Sequence, residues 1–352
     1  MSSKLFIYPA TMDPIRFSSN EDILDYLTTD NLTSQQVNHA LLQYDGRDLP
    51  ILERYGFYRM KRFELDFDIT ETELGVIVNA LKESVSQEFA WNPKISPAGY
   101  AAMNPNDDRH LDIKSQGFPH WLLYLLITEG SLQYWSFIIP ATLNLIDSVE
   151  CETKAAGAKL ATVLTEVRGG ELESRGLVPV FEQALIPLLS YLPPSVTPEK
   201  ATKIVPAALE ALMHLAHNDR VRLNTVITHA INSFGSTKGD IAFTRALLGS
   251  IKEIIAAMRT LAVAHLQSLV KIFNSIACDP FLELSAVLTA DLCDFLLVVL
   301  EVCQPRLDRY KYEIILGVSK AKIWNSAAGE LVKKTYLSDQ QLKELAAEGY
   351  IS

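Results

Sequence analysis

Apolar residues recur at intervals of three and four along most of this chain. Leu74, Ile77, Val78, Leu81, Val85 and Phe89 form one such stripe, opened by the capping-box sequence Thr70-Glu-Thr-Glu73. Thr33-Ser-Gln-Gln36 opens another before Val37, Leu41 and Tyr44, with Gly46 as its stop. Only RFELDFDI (62–69) alternates with the two-residue period of a strand. From Phe118 onward the pattern predicts helices over 119–128, 131–147, 151–167, 177–191, 198–217, 220–234, 240–257, 261–277, 284–303, 308–325 and 338–348. Punctuation agrees at several joints. Thr197-Pro198 supplies a cap followed by a first-turn proline, Gly235 sits at a helix end, and Ser338-Asp-Gln-Gln341 caps the last helix before Gly349.

Long helices with short joints imply stacked antiparallel hairpins, spaced near the roughly 40–47 residues of HEAT-type repeats. The expected fold is all-α, an α-solenoid of HEAT-like hairpins. The expected organisation is an N-terminal helical region (1–91), a mobile loop (92–117) rich in Pro and Asn, and one continuous solenoid (118–352).

The stretch IIPATLNLIDSVECETKAAGAKLATVLTEV (138–167) shows how such helices would be joined. Ala156, Leu160, Val163, Leu164 and Val167 make one apolar stripe. Lys154 projects almost opposite it, on the side of Ala158 and Ala161, where small residues admit a neighbouring helix. A mid-helix glycine costs about 1 kcal/mol relative to alanine, so Gly157 implies a packing reason. Asp147 ends the preceding helix, placed to cap the next turn or to meet a basic group of an adjoining repeat. Asp147 and Lys154 therefore read as fasteners between helices, since no histidine or cysteine stands near them to make a nucleophilic site.

Composition narrows the function. A net charge of −10 argues against nucleic acid as the main ligand. The four cysteines (Cys151, Cys278, Cys293, Cys303) are scattered without a CxxC and read as reduced thiols of an intracellular protein. The apolar stretch from Phe118 to Ile146 is interrupted by EGSLQ and by Pro119 and Pro140, so two buried helices fit it better than a membrane span. No secretory signal segment is expected at the N-terminus.

Other chemistry finds weak support. Asp107, Asp108 and Asp112 resemble a magnesium-diphosphate box, but the third aspartate is one position late. His214 and His217, with His229 beyond, lack the glutamate of an HExxH site. GSTKGD (235–240) lacks the order and the preceding strand of a phosphate loop. Arg54 to Phe63 interleaves basic and aromatic residues, as a docking patch would. Arg306, Arg309 and Lys311 beside Tyr310 form a second basic ridge, of the residue types enriched at binding hot spots. No cofactor, metal ligand or catalytic residue is expected.

Three blocks in order, 138–164, 176–199 and 303–324, together resemble the second Tel-two-interacting protein family, the smallest subunits of the TTT co-chaperone complex. The matching residues are Pro140, Asp147, Lys154 and Gly157; Pro187 to Pro194, with Pro193 among them, and Thr197 to Glu199; then Cys303, Pro305, Arg306, Glu313, Ile314 and Trp324. Ser148, Tyr310 and Ile315 depart from the family pattern. The resemblance implies a non-enzymatic scaffold. It would bind the first Tel-two-interacting protein directly and the Tel-two protein through the complex. Through these it would support the heat-shock chaperone machinery in maturing PIK-related kinases, in the cytoplasm and also the nucleus. Arg306, Arg309 and Tyr310 are the candidate partner contacts. A generic HEAT adaptor and a helical magnesium-diphosphate enzyme are the rival readings. A thermal melt separates the second: a diphosphate enzyme gains melting temperature with magnesium and diphosphate by mass action, and the scaffold is expected to show no shift.

Overall fold

The computed structural model describes residues 134–216, 219–237 and 239–347, together with residues 92, 94–96, 98–101, 123 and 126–128. The stripe of residues 74–89, the 62–69 alternation, the Arg54–Phe63 patch and the 33–46 helix lie outside the described residues.

The chain forms α1 (Trp135–Asp147), α2 (Cys151–Ser174), α3 (Val178–Leu185), α4 (Pro198–Ala216), α5 (Arg220–Phe234) and α6 (Ile241–Met258). It continues through α7 (Leu266–Ala277), α8 (Ala286–Cys303), α9 (Lys311–Lys320), α10 (Ala327–Tyr336) and α11 (Asp339–Ala347). Consecutive helices pair into hairpins: α1 with α2, α3 with α4, α5 with α6, α7 with α8, and α9 with α10. The even-numbered helices then stack in one layer, α2 on α4, α4 on α6, α6 on α8 and α8 on α10. The odd-numbered helices form the other, with α1 against α3, α5 against α7 and α7 against α9. An ion pair of 3.0 Å from Arg222 to Glu182 ties α5 to α3 within that layer. This is an all-α solenoid of HEAT-like hairpins. One continuous core runs through it, from Leu143 and Leu164 through Phe181, Phe243 and Phe273 to Phe295 and Trp324.

The α1–α2 hairpin shows how closely the layers approach. A Cβ on Gly157 would lie 2.6 Å from the backbone nitrogen of Ile146 and 2.9 Å from the carbonyl carbon of Leu145. Only glycine admits that contact. Lys154 is buried, and its Nζ donates to the carbonyl of Ile146 at 3.2 Å. That carbonyl is one of the last four of α1, which have no partner inside the helix. α1 has no basic residue in its own last turn, so the cation favoured at a helix C-terminus comes from α2. The ring of Tyr191, with its centroid 5.2 Å from Nζ, adds a cation–π contact.

Asp147 does not reach Lys154. It stands 4.0 Å from Lys94, ahead of the first hairpin, while the Ser148 hydroxyl receives the amide of Glu150 in the turn. On α2 the small-residue side is covered as expected, and the apolar stripe stops short of its last residue. Ala158 and Ala161 are as buried as Leu160 and Leu164, whereas Val167 is exposed. A helix packed on α1 and on α4 must bury more than one face.

Several boundaries move for local reasons. α2 bends at Arg168 and runs to Ser174, because Leu172 on its last turn is drawn into the core. It closes where Gly176, at φ +69°, lets the Leu177 amide reach back to the carbonyl of Leu172. The helix expected over 177–191 becomes α3 plus a 3-10 turn at Ile186–Ser190 that carries Pro187. α10 was not predicted. Its cap Ser326 accepts from the Gly329 amide at 3.1 Å, and Gly329 sits so close to the carbonyls of Ile323 and Trp324 that no Cβ would fit. Gly235 has ordinary right-handed backbone; the left-handed position of that joint is Gly239. Ser338 and Gln341 form the expected reciprocal cap of α11.

The 92–101 end of the expected mobile loop is anchored to the first hairpin. Asn92 donates to Asn144 of α1 at 2.8 Å in a buried pair. The guanidinium of Arg175 lies over the rings of Tyr100 and Trp135 and donates to the carbonyl of Ala98 at 3.0 Å. Residues 102–117 lie outside the described residues.

Two glycines give opposite predictions. Gly157→Ala is expected to destabilise by about 1–3 kcal/mol, because overpacking against backbone outweighs the gain in helix propensity. Gly249→Ala in α6, where an added Cβ meets no atom within 4 Å, is expected to stabilise by about 0.5–1 kcal/mol. Urea unfolding of both variants checks the signs.

Candidate functional site

Stacking of the even helices leaves a groove of about 1000 Å³ along α2, α4 and α6. Small residues make up much of its lining, among them Ala155, Ala156, Ala207, Ala246, Gly249 and Ser250, beside Leu160, Val163 and Pro206. Charged side chains stand on its walls. At one end Lys203 bridges from α4 to Glu152 of α2 at 2.9 Å and to Glu199 at 3.7 Å. The hydrogen bond from Lys203 holds the Glu152 carboxyl below its ordinary range.

At the other end Glu166, Glu210 and Glu253 stand on three neighbouring helices of the even layer, α2, α4 and α6. His214 of α4 is 3.5 Å from Glu166, and Lys159 also lines the groove. Desolvation raises the Glu210 carboxyl above its ordinary range. Glu253 and then Glu166 add to the rise, while His214 and Lys159 oppose it. Among the described residues no group of three His, Cys, Asp or Glu side chains could hold a metal ion.

The second surface lies at the α8–α9 joint. Gln304–Tyr310 is a 3-10 turn, pinned by buried Leu307. Arg306 and Arg309 point outward, and Tyr310 is half-buried with the Arg309 guanidinium 5.9 Å from its ring centroid. The exposed face continues onto α9 through Lys311, whose Nζ lies over the ring of Tyr312, and through Leu316. Tyr312 is 72 % exposed and Leu316 51 %, an i,i+4 apolar pair on the outside of a helix. The sequence reading missed this pair, since its spacing is that of an ordinary buried stripe.

The remaining family-pattern residues divide by role. Pro140 is buried within α1, Ile314 and Trp324 belong to the core, and Pro305 lies in the first positions of the 3-10 turn. Glu313 and Pro187 are exposed, and Pro193 is half-buried at a cis peptide bond to Pro194. Sequence reasoning grouped these positions by order along the chain; the fold puts them at three separate hairpins. His229 is in α5, away from the groove lining that includes Glu166 and Glu210. In the 235–240 joint Asp240 accepts from the Phe243 amide at 2.7 Å and caps α6. His217 and the Asp107, Asp108 and Asp112 run lie outside the described residues. Among the described residues no helix is long and apolar enough to cross a membrane.

The fold and its surfaces define a helical-repeat scaffold: a stacked wall with a charged groove on one layer and a basic, partly apolar ridge at one joint. The sequence model of the Tti2 family matches residues 60–283, well over half of the chain, and the chain belongs to that family. It is a family of scaffold subunits of the TTT complex. No curated protein and no solved structure matches the chain.

The thiols provide a solution check on the packing. Burial pushes the Cys303 thiol up to about 11 and raises that of Cys293, whereas Cys278 is exposed. Only the thiolate alkylates readily. With iodoacetamide at neutral pH, Cys278 is expected to react first and Cys303 only on unfolding, as read by peptide mass mapping.

Proposed function

We propose that the chain acts as the TTT subunit that binds the first Tel-two-interacting protein directly and the Tel-two protein through it. By these contacts it supports the heat-shock chaperone machinery in maturing PIK-related kinases, in the cytoplasm and the nucleus. Membership of the Tti2 family carries this reading. The architecture supports it, because a preformed wall of packed helices loses little conformational freedom on association, and less ordering cost leaves more of the contact energy as affinity.

The α8–α9 ridge is the proposed contact. Arg306 and Arg309 offer exposed guanidinium groups, Tyr310 an aromatic face, and Tyr312 and Leu316 uncovered apolar area. Arginine and tyrosine anchors beside apolar surface are the usual composition of an interface centre.

Pull-down and titration with the purified first Tel-two-interacting subunit test the proposal. The wild-type chain is expected to bind. Arg306→Glu with Arg309→Glu is expected to weaken binding about tenfold or more, with the thermal melt unchanged. Failure of the folded wild-type chain to bind at low salt would overturn the assignment.

A further inference from the structure

We infer that the groove over α2, α4 and α6 receives an α-helix of the first Tel-two-interacting subunit that carries a face of small residues and a row of lysines or arginines. The inference rests on the function proposed above and names the surface and the partner chemistry. Three observations meet in it.

The first is shape. The groove crosses three helices of one layer, and its volume of about 1000 Å³ is too large for a packing defect. The second is the lining. Alanines and Gly249 let another backbone approach closely, and nothing within 4 Å of Gly249 fills the space that a side chain there would occupy. No intramolecular contact requires glycine at that position.

The third is charge. Glu166, Glu210 and Glu253 stand one per helix, with Glu210 between the other two and influenced by both. Lys159 is the lysine that lines this end, and His214 is already beside Glu166. Three carboxylates against one lysine leave an excess of negative charge, so the complementary ligand is cationic. Packed helices lie about 8–10 Å apart, and an α-helix rises 1.5 Å per residue. A helix lying along the stack therefore meets successive carboxylates with basic residues about five to seven positions apart. A spacing of about seven, close to two turns, keeps them on one face, which an amphipathic helix provides.

The test is titration of the purified first Tel-two-interacting subunit with three forms of the full chain, each checked by circular dichroism and thermal melting. Gly249→Trp places an indole in the groove from a position with free space. Glu210→Lys with Glu253→Lys reverses the row of charge. Both are expected to fold as the wild type does and to bind at least tenfold more weakly. The charge variant is also expected to lose much of the salt dependence of the wild-type interaction. Zero-length carbodiimide coupling of the wild-type complex is expected to join Glu210 or Glu253 to lysines of one partner helix. Wild-type binding that survives both substitutions unchanged overturns the groove assignment and leaves the family function standing. Absence of wild-type binding overturns that function, and the groove assignment with it.

Discussion

Each inner even-numbered helix, α4, α6 and α8, has to satisfy three neighbours at once: its own hairpin partner and the even helices before and after it. That demand governs the rest of the structure. A helix covered on one side needs one apolar stripe, but a helix covered on several sides needs small residues wherever two backbones come close. Gly157 is the sharpest case, because its missing side chain is what brings α2 onto the end of α1. The same approach brings Lys154 to the Ile146 carbonyl, so one close contact both packs the hairpin and caps a helix end. Ala158 and Ala161 extend the small surface along the helix.

A solenoid built this way divides its residues cleanly. The core is continuous from α1 to α10, and what remains outside is set by the stacking rather than by any local motif. Where the even helices lie side by side, their small residues leave a groove with charged walls. Where α8 turns into α9, the 3-10 turn is fastened inward by Leu307 and throws Arg306 and Arg309 outward. Both surfaces are held by rigid elements, which suits a subunit of a scaffold complex.

The three blocks that resemble the Tel-two-interacting family coincide with joints. Pro140 to Gly157 spans the α1–α2 turn, Pro187 to Glu199 the α3–α4 turn, and Cys303 to Trp324 the path from α8 through α9 to the turn before α10. There is a physical reason. Within a helix many apolar residues fill a given space, but a joint needs a proline, a glycine or a capping side chain at a fixed place. Gly176 ends α2 in the left-handed region, and Gly329 starts α10 against two carbonyls, where few substitutes would serve. A pattern carried by joints therefore stays readable.

The sequence by itself determined the all-helical class, the succession of hairpins, the proline start of α4 at Pro198, the cap at Ser338, and the packing reason for Gly157. These follow from period, propensity and short-range geometry, which act within a few residues of the chain. It did not determine where Asp147 and Lys154 would point, since capping by a neighbouring helix and pairing with a neighbouring charge are equally compatible with the spacing. α10 escaped notice because its first turn carries a glycine that only the fold of the preceding turn explains. Tyr312 and Leu316 carry the spacing of a core pair yet face outward, and Val167, the last residue of the apolar stripe on α2, is exposed. Which side of a helix is covered depends on the neighbours stacked against it, and those come from residues far away in the chain. That choice, and with it the groove and the ridge, belonged to the tertiary structure alone.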